Sequence, residues 1–163
     1  MKMRALDYVK ETRAYLDYIE EHINNIEKAY MEVSEKCKDL ENISKNFSWI
    51  TLHYEVELHD VSKFSITEFV PYREKFYPVK NEVNDESTTY AFKNAWDHHK
   101  NNNSHHWETA KTEYDIIHLI IDWTAMGYVF NDNANEYYKK NKDSIKINSK
   151  LVDLFEEVLD RLK

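Results

Sequence analysis

A single glycine and two prolines are too few for a β-rich chain, which turns about every ten residues and draws on both to do so. Helices joined by polar loops need neither, so the composition predicts an all-α fold. The one cysteine, Cys37, has no partner for an intramolecular disulfide, and the opening residues MKMRALDYVKETRAYL lack the apolar run of a secretory signal. We therefore expect a cytoplasmic protein. No apolar stretch reaches the roughly 18 residues that a membrane span requires, so no membrane partner is expected. Cations are in the minority as well: 22 Lys and Arg against 30 Asp and Glu leave a formal charge of −8. That balance argues against duplex nucleic acid as a partner, because phosphate backbones are bound by basic faces. A small phosphorylated substrate needs only a few local cations and stays open.

The hydrophobic residues, 42% of 163, suffice for the core of one domain, which we expect to span 1–163. Tyr15, Leu16, Ile19, Ile23, Ile26 and Tyr30 recur at spacings of three and four. They predict a long amphipathic helix over 6–33, with His22 on the flank of its stripe. Trp49, Leu52 and Val56 line a second helix over 48–60, and Asp60 falls on the same line. The run from Ser65 to Glu68 has the form of a capping box, opening a short helix that Pro71 ends or kinks. Residues 78–88 read as a surface loop and 89–100 as a third helix. Residues 113–130 are apolar nearly all round, which marks the most buried helix. The polar run 131–141 leads to a last amphipathic helix bearing Leu151, Leu154, Phe155, Val158, Leu159 and Leu162. The expected architecture is a bundle of about five to seven helices.

Asp122 stands in the middle of the apolar run IIHLIIDWTAM. Taking a carboxylate out of water costs several kcal/mol, so it needs a cation or several hydrogen bonds, with Tyr or Trp as simple candidates. Cations are scarce nearby, whereas histidines are not. Four of the eight fall within WDHHKNNNSHHWE, and His22 and His59 lie on or near inward helix faces. Imidazoles and carboxylates held by several helices of a bundle are the donor set of a mononuclear or dinuclear metal site. His53 shares the inward line of the second helix and competes with His22 for the role. His118, four residues before Asp122 on one helical face, reads as a partner that orients a ligand.

The order His22, His59-Asp60, Asp122 resembles the HD superfamily of metal-dependent phosphohydrolases, and HDVSK resembles the HDIGK motif of its cyclic-dinucleotide phosphodiesterases. The GYP element of those enzymes is absent. The pairs His98-His99 and His105-His106 are similar to the extra histidines of dinuclear members. HDVSKFSITEFVPYREKFY, AWDHHKNNNSHHWE and DWTAMGY resemble, more narrowly, a family of bacterial and phage proteins over most of residues 15–140. The resemblance implies an HD-like fold with one or two divalent ions (Mn, Fe, Co, Ni, Zn or Mg) on His22, His59, Asp60 and Asp122. A second ion would be shared through Asp60 and the loop histidines. It further implies hydrolysis of a phosphomonoester or phosphodiester, with a nucleotide as the expected substrate. Lys63 would neutralise phosphate charge, with Arg73 assisting. Two other readings use the same donors: a di-iron centre that activates dioxygen, and a binding protein stapled by a structural metal. For Lys63 the plain alternative is a solvated side chain, and for His59 and Asp60 a helix C-terminus with an Asx turn.

Neighbouring helical positions point about 100° apart, so His98 and His99 cannot share a direction. Ala91, Phe92, Ala95 and Trp96 set the apolar face, and His99 projects near its middle while His98 lies to the side. His99 is therefore the expected ligand and His98 a substrate-facing or solvated residue. Periodicity is silent on the second pair, where we favour His105 over His106. Nothing in the sequence speaks to oligomeric state.

Overall fold

The computed structural model describes residues 4–44, 47–79 and 85–163. Among these residues there are only helices and connecting turns: α1 (Ala5–Lys36), α2 (Leu40–Ile43), α3 (Trp49–Val56), a 3-10 turn (Val61–Phe64), α4 (Phe69–Phe76), α5 (Glu86–Asn102), α6 (Glu113–Phe130), α7 (Ala134–Asn141) and α8 (Val152–Arg161). The all-α expectation holds. Of the loop expected over 78–88, residues 80–84 lie outside the described ones, and α5 already begins at Glu86, where the Asp85 side chain accepts the Thr88 N–H. The chain divides into two compact units, one of Met1–Glu21 with Asp60–Asn103, the other of His22–His59 with Ser104–Lys163.

In the second unit α6 packs with α3, α7 and α8. Its residues Ile116, Ile117, Leu119, Ile120 and Ile121 are all buried, as its all-round apolarity predicts. The helix starts where Thr112 and Asp115 form a reciprocal capping box: Thr112 Oγ1 accepts the Asp115 N–H and the Asp115 carboxylate accepts the Thr112 N–H. Phe155, Val158 and Leu159 of α8 close the core, with the Phe155 ring edge-on to Trp123. The polar run after α6, to which the sequence assigns no element, contains α7. Asn133 caps it by accepting the Glu136 N–H, and Asn135 is buried with its amide donating to the Leu159 carbonyl. A local hydrogen bond and a buried amide thus add to the packing of Ala134, Tyr137 and Tyr138 on the core.

The first unit has its own smaller core of Tyr15, Ile19, Tyr72 and Ala95, with Phe69, Tyr77, Phe92 and Trp96 packed around it. Within α1 the buried positions are Tyr15, Ile19, His22, Ile26, Ala29, Tyr30 and Val33, whereas Leu16 and Ile23 are 39% and 37% exposed. The buried line alternates steps of four and three residues, so His22 sits in its middle, not on its flank. Pro71 neither ends nor kinks α4: it lies in the first turn, where a backbone N–H has no intrahelical partner to lose.

The one glycine, Gly127, has a steric reason to be there. A Cβ at this position would meet the Asp132 carbonyl oxygen at 2.5 Å, because the chain folds back after Asn131, which takes left-handed φ 52°. The Gly127 carbonyl accepts the N–H of both Asn131 and Asp132. Intrinsic propensity favours Ala over Gly in a helix by about 1 kcal/mol. Gly127→Ala is nevertheless expected to destabilise the fold by about 1–3 kcal/mol, as overpacking does. Urea unfolding monitored by circular dichroism checks it, and a higher midpoint for the variant would contradict this account.

Candidate metal centre

In the second unit three side chains that are far apart in sequence meet. His22 comes from the buried line of α1, His59 from the turn that follows α3, and Asp122 from α6. His22 and His59 are 4% exposed and the Asp122 side chain 15%. His22 Nε2 lies 3.1 Å from His59 Nε2 and 3.4 Å from Asp122 Oδ1, and His59 Nε2 lies 3.8 Å from that oxygen. Donor atoms about 2.0–2.1 Å from one tetrahedral ion stand about 3.3–3.4 Å apart, so these three edges bracket the spacing that one cation imposes. Two chemistries satisfy the distances: a proton on His22 Nε2 shared with its neighbours, or a metal ion among the three. Burial pushes the Asp122 carboxyl up. The His22 hydrogen bond and the charges of His59, His22 and His105 outweigh it and hold the group well below the usual carboxylate range. Asp122 is thus an anionic donor at neutral pH.

His59 is held from its other side. Its Nδ1 lies 3.0 Å from His118 Nε2, and its ring stacks on His105 at 4.3 Å between centroids. His59, His105 and His118 form a second group of buried imidazoles whose donor atoms can also share an ion. A neutral imidazole has one lone pair, so His59 serves one group at a time. The group that includes Asp122 has the charge to balance a dication, which leaves His118 to accept from His59 Nδ1–H and fix the tautomer. His53 is not part of this cluster: it is half-buried and pairs with Glu27 at 3.2 Å.

The first unit holds Asp60, Lys63, Arg73, His98 and His99. Asp60 adopts left-handed φ 58°, a conformation that Asp tolerates better than most residues. The turn sends its carboxylate inward at 3% exposure, where Oδ2 accepts from Lys63 Nζ at 2.5 Å and Oδ1 lies 3.2 Å from His99 Nε2. Lys63 is 8% exposed, so the solvated alternative does not describe it. Arg73 is buried too, with its guanidinium donating to the Tyr77 carbonyl and pairing with Glu74. Of the adjacent histidines, His99 is 2% exposed, while the His98 side chain is 35% exposed, as the helical projection predicts. His105 is likewise buried and His106 half-buried.

Sequence reasoning missed Glu68. The expected capping box does not form, because residues 65–68 make a turn and the Glu68 side chain caps nothing. Instead the fully buried carboxylate reaches His98 Nδ1 at 2.6 Å and His99 Nδ1 at 2.9 Å, and it accepts from Ser62 Oγ at 3.0 Å. It aims His99 Nε2 at Asp60. The only signal was indirect: Glu68 stands in the same motif as Asp60.

The sequence profile of a family of unknown function, DUF5662, matches residues 11–161. No curated protein and no solved structure matches the chain.

The geometry separates the histidines. His22→Ala is expected to abolish tight metal uptake, His118→Ala to weaken it about 10- to 100-fold, and His53→Ala to leave it unchanged. Titration of the chelator-treated protein with Zn²⁺ or Mn²⁺ measures all three. Equal affinity in wild type and the His22 variant would remove the metal assignment.

Proposed function

Since the chain belongs to the DUF5662 family of unknown function, we propose from its own chemistry that it is a metal-dependent phosphohydrolase acting on a phosphomonoester or phosphodiester. The observation that carries the reading is the convergence in the second unit of two buried imidazole nitrogens and the oxygen of a half-buried carboxylate, at 3.1, 3.4 and 3.8 Å. Two neutral donors and one anion leave a bound dication a net positive charge, which suits it to an anionic substrate. When bound, a divalent ion supplies Lewis acidity toward phosphoryl oxygens and brings the pKa of water toward about 7.

The protein's own groups do the rest. His118 fixes the His59 tautomer, and the low pKa of Asp122 keeps its carboxylate ionised as a donor. Apolar packing of α6 restricts the rotamers of these donors. Asp60 and Lys63 join the reading through the resemblance of HDVSK to the HD superfamily. In that role the Lys63 ammonium neutralises charge that builds up on the transferred phosphoryl group. A nucleotide is the favoured substrate class.

Elemental analysis of protein purified without chelator, followed by a screen of bis-p-nitrophenyl phosphate and nucleoside phosphates, tests the reading. Asp122→Asn is expected to lose metal and turnover together while circular dichroism stays helical. Lys63→Ala is expected to keep its metal and lose turnover about tenfold or more, a loss of at least 1.4 kcal/mol of transition-state stabilisation. Metal content with no hydrolysis of any ester would leave a structural ion. Iron with dioxygen uptake would make the chain an oxygenase.

A further inference from the structure

Asp122 is the donor of the candidate centre that solvent reaches: its side chain is 15% exposed, whereas His22 and His59 are 4% exposed. The groups on that side are aromatic and apolar. Along α6, Met126 and Phe130 follow Asp122 at steps of four. Each such step drifts about 40° toward the side on which Trp123 projects, itself about 100° from Asp122. Exposure rises along the row, from half-buried Met126 to Phe130 at 69%. Helix α7 packs on the same side of α6. Its Tyr137 meets Trp123 edge-on with ring centroids 4.9 Å apart, and it keeps 43% of its surface exposed. Burial pushes the Tyr137 phenol up, and the charges of Asp122 and Glu108 push it further, so the ring stands within electrostatic reach of the Asp122 carboxylate.

We propose that Tyr137 of α7 and Phe130 of α6 form a stacking surface for the base of a nucleotide whose phosphate lies at the Asp122 side of the centre. Every nucleobase has a π-face, and exposed aromatic rings bind it whatever its sequence of donors and acceptors. Stacking needs an accessible ring face, and both rings have one. The base is uncharged, so the carboxylates of Asp122 and Glu108 do not oppose it. An anion on the same surface would meet both. Met126 and Phe130 stand about 6 and about 12 Å along the helix axis from Asp122, a length comparable to that of a nucleotide from phosphorus to base. At neutral pH the Tyr137 hydroxyl is protonated and is an O–H donor to ring or ribose oxygens.

The proposal rests on the phosphohydrolase reading and names the part of the substrate that this side of the site recognises. Its test is calorimetric titration of the full chain with each common ribonucleoside monophosphate, and with ribose 5-phosphate as the probe that lacks a base. Wild type is expected to bind at least one monophosphate about tenfold or more tightly than ribose 5-phosphate. Phe130→Ala, at an exposed side chain, and Tyr137→Ala are each expected to remove most of that preference and to leave metal content and ribose 5-phosphate affinity unchanged. Tyr137→Phe keeps the ring and is expected to keep the preference; a loss as large as in the alanine variant would overturn stacking as its cause. Equal affinity for all the probes in wild type, or no binding of any, would overturn the proposal, as would a preference undiminished in both alanine variants. A protein that takes up metal and hydrolyses bis-p-nitrophenyl phosphate without preferring a base loses this proposal and keeps the hydrolase reading. One that prefers monophosphates through these rings yet hydrolyses no ester keeps the stacking surface and loses the hydrolase reading.

Discussion

Burial of the Asp122 carboxylate governs the arrangement of the second unit. An anion on an apolar helix forfeits several kcal/mol of hydration, and the fold compensates by bringing His22 and His59 to within 3.8 Å of its oxygen. Those two side chains arrive from a helix 100 residues earlier and from the end of another. The buried line of α1 must therefore place His22 in its centre, and α3 must stop at Val56 so that His59 turns inward. His118 and His105 then pack around His59 because a ring held on one nitrogen is oriented only when the other nitrogen is also engaged. The apolar residues of α6 hold this set in place, and the capping box at Thr112 and the close turn at Gly127 fix where that helix begins and ends.

The first unit solves a similar problem with a different balance. It buries Asp60 and Glu68 together with Lys63, Arg73 and His99, all at 8% exposure or less. Glu68 spans two neighbouring imidazoles, and Asp60 spans an ammonium and an imidazole. Such networks are costly to bury and gain little stability over apolar packing, and losing one partner leaves the other charge uncompensated. The left-handed turn at Asp60 belongs to the same economy: it aims the carboxylate inward within one residue of the His59 peptide.

Much of this was legible in advance, and the reasons differ by residue. Helices α1, α3 and α6 followed from apolar spacing, because a helix face repeats every 3.6 residues whatever packs on it. The inward direction of His99 followed from the same geometry. Leu16 and Ile23 misled because hydrophobicity alone does not say which side of a broad stripe the partner covers; both remained exposed. Glu68 misled because its local pattern, Ser-x-x-Glu, is shared by capping boxes, and only two imidazoles from a distant helix drew it elsewhere. Helix α7 was missed because it is short and mostly polar: only Ala134, Tyr137 and Tyr138 pack on the core, too few to repeat as a helical period, and a capping asparagine and a buried amide supply the rest.

The sequence by itself determined the all-α class, the principal helices and the inventory of donors, because composition and periodicity act within a few residues along the chain. Tertiary structure decided which donors meet. It admitted His22 and left His53 with Glu27, turned Lys63 inward onto Asp60, and enlisted Glu68 and His118 as partners of histidines 31 and 59 residues away. Each of those outcomes depends on compensating a buried charge or orienting a ring. Compensation of that kind is settled by which groups share a volume, and a one-dimensional pattern does not encode that.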